Sequence, residues 1–236
     1  MSQEDFDIDS LAAYLHLDPQ KVMRMADRGK IPGRKVGGGW VFSGPEIHHW
    51  LEERIGASDD QELAEVEDVL RGKPDSPVPT PVVEMLPLES IAIPLPARTR
   101  NSVITAMCDL AAQTGLLWDA EKMATAVRDR EEMHPTALEN GVALLHPRRP
   151  IPNILGEAFL ALGRTDSGIP FGGSRGILTD VFFLILSTDD RGHLNTLARL
   201  SRMITDPQFL ADLRAASDAQ AVRELFAAKE SAIESL

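Results

Sequence analysis

Residues 130–146 read Arg-Glu-Glu-Met-His-Pro-Thr-Ala-Leu-Glu-Asn-Gly-Val-Ala-Leu-Leu-His, and this stretch decides how the second half of the chain is interpreted. Polar residues fill most of its first half, and a glycine then precedes the apolar run Val142-Ala-Leu-Leu145. A short, wholly apolar run is typical of a buried strand. His146 follows that run directly and precedes Pro147. A single histidine in this position is most often structural, so these residues alone leave a structural and a catalytic role open.

The sequence around this stretch alternates between strand patterns and helix patterns. Strands are predicted over 90–93, 141–145 and 180–186, and helices over 100–115, 120–132, 152–162, 193–204, 206–216 and 219–229. Such alternation predicts an α/β domain with a mixed sheet and helices on both of its faces. We place this domain at residues 83–236.

The first 55 residues predict a second, smaller and mainly helical domain. Asp7 and Asp18 are suited to cap two short helices, and Pro19 sits where a helix needs no backbone donor. Two short strands around Gly37-Gly-Gly39 follow, and Ser43-Gly-Pro-Glu46 is a capping box for a third helix. The fold class expected for the chain is therefore multidomain: a winged helix-turn-helix followed by the α/β domain.

Basic side chains gather in this small domain although the chain as a whole is acidic. With 24 Lys and Arg against 36 Asp and Glu, the net charge is −12, so the overall surface cannot coat nucleic acid or an anionic membrane. Between Asp18 and Phe42, however, six bases stand against two acids. The bases are Lys21, Arg24, Arg28, Lys30, Arg34 and Lys35. Charge alone leaves two interpretations open, a DNA-binding patch and an ordinary solvated helix face.

A family resemblance helps to choose between these interpretations. The stretches that carry it are Leu11-Ala-Ala-Tyr-Leu-His-Leu-Asp18, the helix that follows, and Lys35-Val-Gly-Gly-Gly-Trp-Val-Phe42. Over residues 6–53 they resemble the excisionase/MerR-type winged helix-turn-helix. The resemblance implies DNA binding, with Lys21, Arg24 and Arg28 on the recognition helix and Arg34 and Lys35 on the wing. Basic residues are usual in the family where Gly39 and Val41 stand here, so a role in binding a protein also stays open.

Between the two domains, residues 56–82 predict a linker. They hold seven acids and two bases, and they end in the proline-rich run Pro74-Asp-Ser-Pro-Val-Pro-Thr-Pro81. Closely spaced prolines favour an extended chain and remove backbone donors.

Composition also excludes several kinds of site. Cys108 is the single cysteine, which excludes an intrachain disulfide and a cysteine-based zinc site. The acidic start has no signal-peptide pattern, and no apolar run approaches the roughly 20 residues of a membrane span. We therefore expect a cytoplasmic protein without membrane insertion.

Residues 130–146 resemble the active-site motif of the enzyme IIA domain of the phosphotransferase system, type 2, the fructose, mannitol and nitrogen-regulatory class. That motif runs Arg-Glu-x-x-x-x-Thr-Gly-x-Gly-x-Gly-Val-Ala-x-Pro-His. The matching residues are Arg130, Glu131, Thr136, Gly141, Val142, Ala143 and His146. Further matches are Ile169-Pro-Phe171, Asp180-Val-Phe-Phe-Leu-Ile185 and Gly192-His193-Leu-Asn195, so the likeness extends over residues 84–229.

The resemblance implies a site and a partner. His146 would accept a phosphoryl group from the phosphocarrier HPr, since a neutral imidazole is a good nucleophile near neutral pH. Arg130 would stabilise the charge on the transferred group. The resemblance further implies that His193 donates a hydrogen bond to the phosphoryl group and that Thr136 binds it by its hydroxyl. No cofactor or metal is implied.

Three residues depart from the motif. Ala137, Glu139 and Leu145 replace the usual Gly, Gly and Pro. We expect Glu139 to lie close to His146, where like charge disfavours a phosphorylated state, and Arg175 to offset it.

These observations predict a phosphoryl-transfer regulator of transcription that receives phosphate on His146 and binds DNA by its N-terminal domain. One alternative is a plain phosphotransfer component that passes phosphate to an enzyme IIB, with the N-terminal domain bound to a regulated protein. Another is a non-catalytic sensor whose N-terminal domain binds a protein partner.

Overall fold

A computed structural model describes residues 5–15, 17–57, 80–173 and 176–234. The chain divides into two compact units, residues 1–78 and 79–236. Most of the predicted linker, as well as Arg175, lies outside the described residues. The domain boundaries at 1–55, 56–82 and 83–236 stay a prediction, although the chain is already ordered at Val82, whose N–H donates to Glu230 at 2.7 Å.

The described part of the N-terminal unit has three helices and a two-stranded hairpin. These elements are α1 (Ile8–Tyr14), α2 (Pro19–Asp27), β1 (Arg34–Val36), β2 (Gly39–Val41) and α3 (Gly44–Ala57). Asp7 caps α1 by accepting from the Ser10 N–H at 2.7 Å, and Asp18 caps α2 by accepting from the Gln20 N–H at 2.8 Å. Both predicted caps are confirmed, and with them the helix-turn-helix and wing.

The wing depends on its two turn glycines. β1 and β2 pair antiparallel from Arg34 opposite Val41 to Val36 opposite Gly39. Gly37 and Gly38 connect them with φ angles of +60° and +89°. Such a two-residue turn needs left-handed backbone at both positions, which glycine adopts without a steric penalty. The hairpin is tied to the rest of the unit by the buried side chain of Phe42, which directly follows β2.

The C-terminal unit combines a sheet with helices. Its described elements are β3 (Ile91–Ala92), α4 (Arg100–Ala112), α5 (Ala120–Met133), β4 (Val142–Leu145), β5 (Phe159–Pro170), β6 (Leu178–Leu186), α6 (Asp190–Thr205), α7 (Pro207–Ala215) and α8 (Ala219–Glu234). Among these residues, none of the helices has both the length and the apolar character that crossing a bilayer requires.

The sheet is mixed, with strand order β3-β5-β6-β4. β5 and β6 pair antiparallel, whereas β3 runs parallel to β5 and β4 runs parallel to β6. Val142 lies opposite Val181, and Leu145 opposite Leu184. Because β4 and β6 run in the same direction, the residues that follow their carboxyl ends emerge at the same edge of the sheet.

Helices cover both faces of the sheet, as predicted. On one face, Leu145 and Phe182 belong to a buried cluster with Met107 of α4 and Val127 of α5. On the other face, Phe183 packs edge-on against Phe226 of α8, with ring centroids 6.0 Å apart. The two helical layers bury apolar side chains of β4 and β6 on both sides, which fixes the strands that lead into the site.

The predicted helix over 152–162 is wrong. A single 3-10 turn spans Pro152–Ile154, and the central strand β5 begins at Phe159. Its first residues, Phe159-Leu-Ala-Leu162, are all buried, so the alternation that marks a half-exposed strand is missing. Alanine and leucine also favour a helix by intrinsic propensity, and tertiary packing overrides that preference here.

Cys108 gives a test of this packing. The thiol lies in α4 at 1% exposure, and burial, with a smaller contribution from the charge of Asp109, raises its pKa to about 12. The reactive thiolate is therefore nearly absent at neutral pH. We expect no reaction with Ellman's reagent in the native protein and one equivalent of released thiolate after unfolding in guanidinium chloride. Rapid reaction of the native chain would contradict the described packing.

Candidate functional site

The structure brings His146 and His193 together. His146 follows the carboxyl end of β4, and His193 lies in the first turn of α6, which begins shortly after the neighbouring parallel strand β6. Their ring centroids are 4.9 Å apart with an interplanar angle of 54°. Both side chains are buried, at 3% and 2% exposure. Two residues 47 positions apart in sequence thus meet because two parallel strands end at one edge.

The hydrogen bond of His146 determines its tautomer. The Nδ1 atom lies 2.8 Å from the Leu144 carbonyl oxygen. A carbonyl oxygen only accepts, so Nδ1 carries the proton and donates. In the neutral ring with the proton on Nδ1, the in-plane lone pair is on Nε2. The imidazole is therefore set up to react as a nucleophile through Nε2.

The start of α6 positions His193. The carboxylate of Asp189 caps this helix by accepting from the Gly192 N–H at 2.8 Å. The Ser187 hydroxyl lies 3.4 Å from Nδ1 of His193. A capped first turn holds the backbone of this histidine in a defined place beside His146.

Arg130 lies in the last turn of α5 and is buried at 6% exposure. Its Nη1 donates to the backbone carbonyl of His134 at 2.7 Å, which folds the guanidinium back towards the segment that leaves the helix. The arginine side chain stays charged in proteins, even when it is buried. A fixed positive charge is thus built into the segment that precedes β4.

Residues 136–138 form an antiparallel partner to the outer side of β4. The Leu138 N–H donates to Val142 at 2.8 Å, and the Leu144 N–H donates to Thr136 at 3.3 Å. Ala137 lies opposite Ala143 between these bonds. This register places Thr136 beside the carboxyl end of β4, which is the end that leads to His146.

The Thr136 hydroxyl donates to the buried carboxylate of Glu131. The same carboxylate accepts the Thr136 N–H at 3.1 Å and Arg100 Nη2 at 2.9 Å. Arg100 also lies over the ring of Phe171, at 5.5 Å from its centroid. The role of Thr136 in binding a phosphoryl group stays a prediction, and in this structure the hydroxyl proton points to Glu131.

Sequence reasoning gave no role to Glu131 or Arg100. Glu131 is a motif match, and its buried position could have been suspected because α5 turns its Val127 and Glu131 to the same side at four-residue spacing. Arg100 is 31 positions away and carries no local signal.

The expectation that Glu139 lies close to His146 is wrong. Glu139 is exposed in the turn between Leu138 and Gly141, which precedes the amino end of β4. His146 follows the other end, and a four-residue strand is about 13 Å long. The strand therefore separates the two residues. Arg175, expected to offset Glu139, lies outside the described residues.

The other two motif departures are accommodated by the fold. Leu145 is fully buried in the sheet, and Ala137 packs against the same core. Both side chains add apolar contact where the motif has Pro and Gly, so neither obstructs the path of β4 to His146.

The five predicted DNA-binding residues are all exposed on the N-terminal unit: Lys21, Arg24, Arg28, Arg34 and Lys35. The first two lie on α2, and Arg28 caps its carboxyl end. The two wing residues are paired with acids: Arg34 with Asp5 at 3.2 Å and Lys35 with Asp27 at 3.5 Å. Exposed pairs of this kind are weak, so a phosphate can compete for either base.

Sequence reasoning gave Asp27 no structural role. Its carboxylate also accepts from Nε1 of Trp40 at 3.3 Å, and Lys35 lies over the Trp40 ring at 5.0 Å from the centroid. This acid therefore ties the wing to the carboxyl end of α2.

Comparison with known proteins identifies both units. Residues 84–229 match the family model for the EIIA 2 domain of the phosphoenolpyruvate-dependent sugar phosphotransferase system, and residues 6–55 match that of a helix-turn-helix domain. The chain is 33% identical over 151 residues to a nitrogen regulatory protein of Bradyrhizobium diazoefficiens, covering 62% of this chain and 95% of the relative. It is 25% identical over 150 residues to the fructose-specific EIIA component of Haloferax volcanii, covering 63% and 96%.

Solved structures show the same fold for the second unit. The nitrogen regulatory protein IIA-Ntr of Neisseria meningitidis superposes with a TM-score of 0.56 at 22% identity, covering 62% of this chain and 99% of that protein. IIA mannitol of Escherichia coli superposes with a TM-score of 0.52 at 18% identity, covering 58% and 96%.

Proposed function

Because this chain belongs to the EIIA type 2 family of the phosphoenolpyruvate-dependent sugar phosphotransferase system, we propose that it is a cytoplasmic phosphoryl-transfer regulator. In this proposal, His146 accepts a phosphoryl group from phosphorylated HPr, and the helix-turn-helix domain binds DNA. The observation that carries the proposal is the pair of histidines 4.9 Å apart, with Nδ1 of His146 donating to a carbonyl and Nε2 left as the nucleophile.

The transfer step needs no metal and no proton relay. Nε2 of His146 attacks the phosphorus of the phosphohistidine on HPr, and a new N–P bond forms there. The N–P bond in HPr breaks, and its electron pair returns to the imidazole of HPr. Because Nδ1 of His146 already carries a proton, the phosphorylated ring retains its hydrogen bond to Leu144 throughout.

In this proposal, three further residues stabilise the moving charge. Three phosphoryl oxygens share negative charge in the transition state, and a buried guanidinium such as that of Arg130 offsets it strongly in a site of low dielectric. His193 donates a hydrogen bond to the same group. Thr136 contributes either through its hydroxyl or through its backbone pairing with β4.

The direct test is phosphorylation of the full chain. Incubation with enzyme I, HPr and phosphoenolpyruvate is expected to add one phosphoryl group, which intact mass measures. The added group should be lost in acid, as is typical of phosphohistidine. Omission of HPr is the control, and the mass should then stay unchanged. No HPr-dependent increase in mass would refute the phosphoacceptor role.

A second candidate for the N-terminal unit is binding of a partner protein. The observation in its favour is that both wing bases, Arg34 and Lys35, are already paired with acids. A DNA titration decides between the two candidates.

We expect weak DNA binding with a modest salt dependence. If four or five bases contact phosphates, the slope of log K against log salt is about −3 to −5, at roughly −0.9 per contact. Anisotropy of labelled duplex DNA with the full chain, measured at several salt concentrations, gives this slope. Lys21→Ala and Arg24→Ala together should reduce binding, whereas Lys122→Ala, an exposed lysine of the other unit, should not. No binding at low salt would favour the protein-partner role.

A further inference from the structure

We propose that Glu131 is a positioning residue for the transfer reaction. Held by Arg100, it fixes Thr136 and, through Leu144, sets which nitrogen of His146 carries the proton. This inference rests on the proposed phosphoacceptor role of His146 and adds residues to its site that touch neither the donor nor the phosphoryl group.

The first step is the anchoring of Thr136. Glu131 is buried at 1% exposure, and a buried carboxylate is costly unless donors surround it. Its Oε2 accepts from Arg100 at 2.9 Å, and its Oε1 accepts both the N–H and the hydroxyl of Thr136. Hydrogen bonds to a charged acceptor are the strong ones, so both polar groups of Thr136 are held by one carboxylate.

The second step runs from Thr136 to the reacting ring. The Thr136 carbonyl accepts from the Leu144 N–H at 3.3 Å, and the Leu144 carbonyl accepts from Nδ1 of His146 at 2.8 Å. Leu144 is therefore fixed on one side by Thr136 and on the other orients the imidazole. A continuous series of hydrogen bonds connects Arg100 with His146.

The hydrogen bond on Nδ1 determines which nitrogen of His146 can react. A neutral imidazole without a fixed partner divides its proton between both nitrogens, and only the form with the proton on Nδ1 leaves Nε2 nucleophilic. Groups that orient a metal-bound histidine through a hydrogen bond on its other nitrogen typically affect activity by about 10- to 100-fold, and we take the same range for the indirect positioning of His146. We expect losses of that size when Glu131 is changed.

The proposal conflicts with direct binding of the phosphoryl group by the Thr136 hydroxyl, and a double-mutant cycle separates the two. Thr136→Val removes the hydroxyl, while Thr136→Ser keeps an oxygen that can donate to Glu131. Glu131→Gln places an amide donor against either Arg100 or Thr136. If Glu131 and Thr136 act as one unit, the double variant is no slower than the slower single variant.

The experiment uses the full chain with enzyme I, HPr and phosphoenolpyruvate, and measures the rate of phosphorylation by quenched intact mass. Glu131→Gln and Thr136→Val should each be slower by about 10- to 100-fold, and Thr136→Ser should stay near wild type. Glu132→Gln is the matched control, since the neighbouring Glu132 is exposed and should leave the rate unchanged. Independent losses that multiply in the double variant would overturn the proposal.

A second readout does not depend on transfer. Nitrogen-15 NMR of the imidazole nitrogens distinguishes the two tautomers of His146 in the unphosphorylated chain. We expect a smaller share of the form with the proton on Nδ1 in Glu131→Gln and in Thr136→Val, and a restored share in Thr136→Ser. An unchanged tautomer in Thr136→Val, which conserves side-chain volume, would overturn the proposal. Failure of the wild-type chain to accept phosphate would instead refute the proposed function, and the NMR result would still decide the positioning role.

Discussion

Replacing His146 with alanine is expected to abolish HPr-dependent phosphorylation. The loss should be complete, because Nδ1 of His146 donates to the Leu144 carbonyl oxygen at the end of β4 and Nε2 of this ring is the proposed nucleophile. The ring of His193 lies 4.9 Å away, and in our proposal it donates a hydrogen bond to the group that His146 receives. The measurement is intact mass, together with the acid-labile and base-stable behaviour of the added phosphate.

The matched control for this variant is His134→Ala. His134 is exposed, lies in the segment between α5 and β4, and contributes its backbone carbonyl rather than its ring to Arg130. Phosphorylation of this variant should match the wild type. Labelling that persists in His146→Ala would assign the phosphate to another residue and refute the site.

The pairing of the two histidines could be anticipated only in part from the sequence. The apolar run Val142-Ala-Leu-Leu145 predicts a buried strand, and the motif places His146 at its end. The likeness to a family, rather than any local pattern, links this residue to His193. Parallel pairing of β4 with β6 is the physical reason that they meet, and pairing between residues 39 positions apart leaves no mark in a local periodicity.

Local signals succeeded where a few neighbouring residues decide the structure, and they failed where distant packing decides it. The caps at Asp7 and Asp18 were predicted because the partner N–H lies two or three residues away. Strand β5 was missed, since burial on both faces removes its alternation. The predicted strand over 141–145 already lies between Glu139 and His146. The expectation that the two residues are close was wrong because it overlooked the length of this strand, about 13 Å for four residues.

Removing the Arg130 guanidinium is expected to slow transfer more than removal of the second histidine. Arg130→Ala should reduce the rate by about two to five powers of ten, a range that includes the roughly 10³- to 10⁵-fold effect of arginine in phosphoryl-transfer transition states. The side chain is buried, so after its removal bulk water cannot readily take over the stabilisation of the phosphoryl charge. His193→Ala should reduce the rate less, because it removes one hydrogen bond from a donor without a fixed charge. Single-turnover transfer from phosphorylated HPr measures both effects.

Arg128→Ala is the control for this prediction. Arg128 lies on the same helix as Arg130, and its Nη2 donates to the Thr105 hydroxyl at 2.8 Å, away from the segment that leads to β4. Loss of Arg128 changes the charge of the chain as Arg130→Ala does, so equal rates for Arg128→Ala and the wild type would exclude a general effect of charge on docking of HPr. Equal losses from Arg130→Ala and His193→Ala would show instead that His193 shares the acceptor role, since a supporting hydrogen bond alone cannot match the loss of a buried charge.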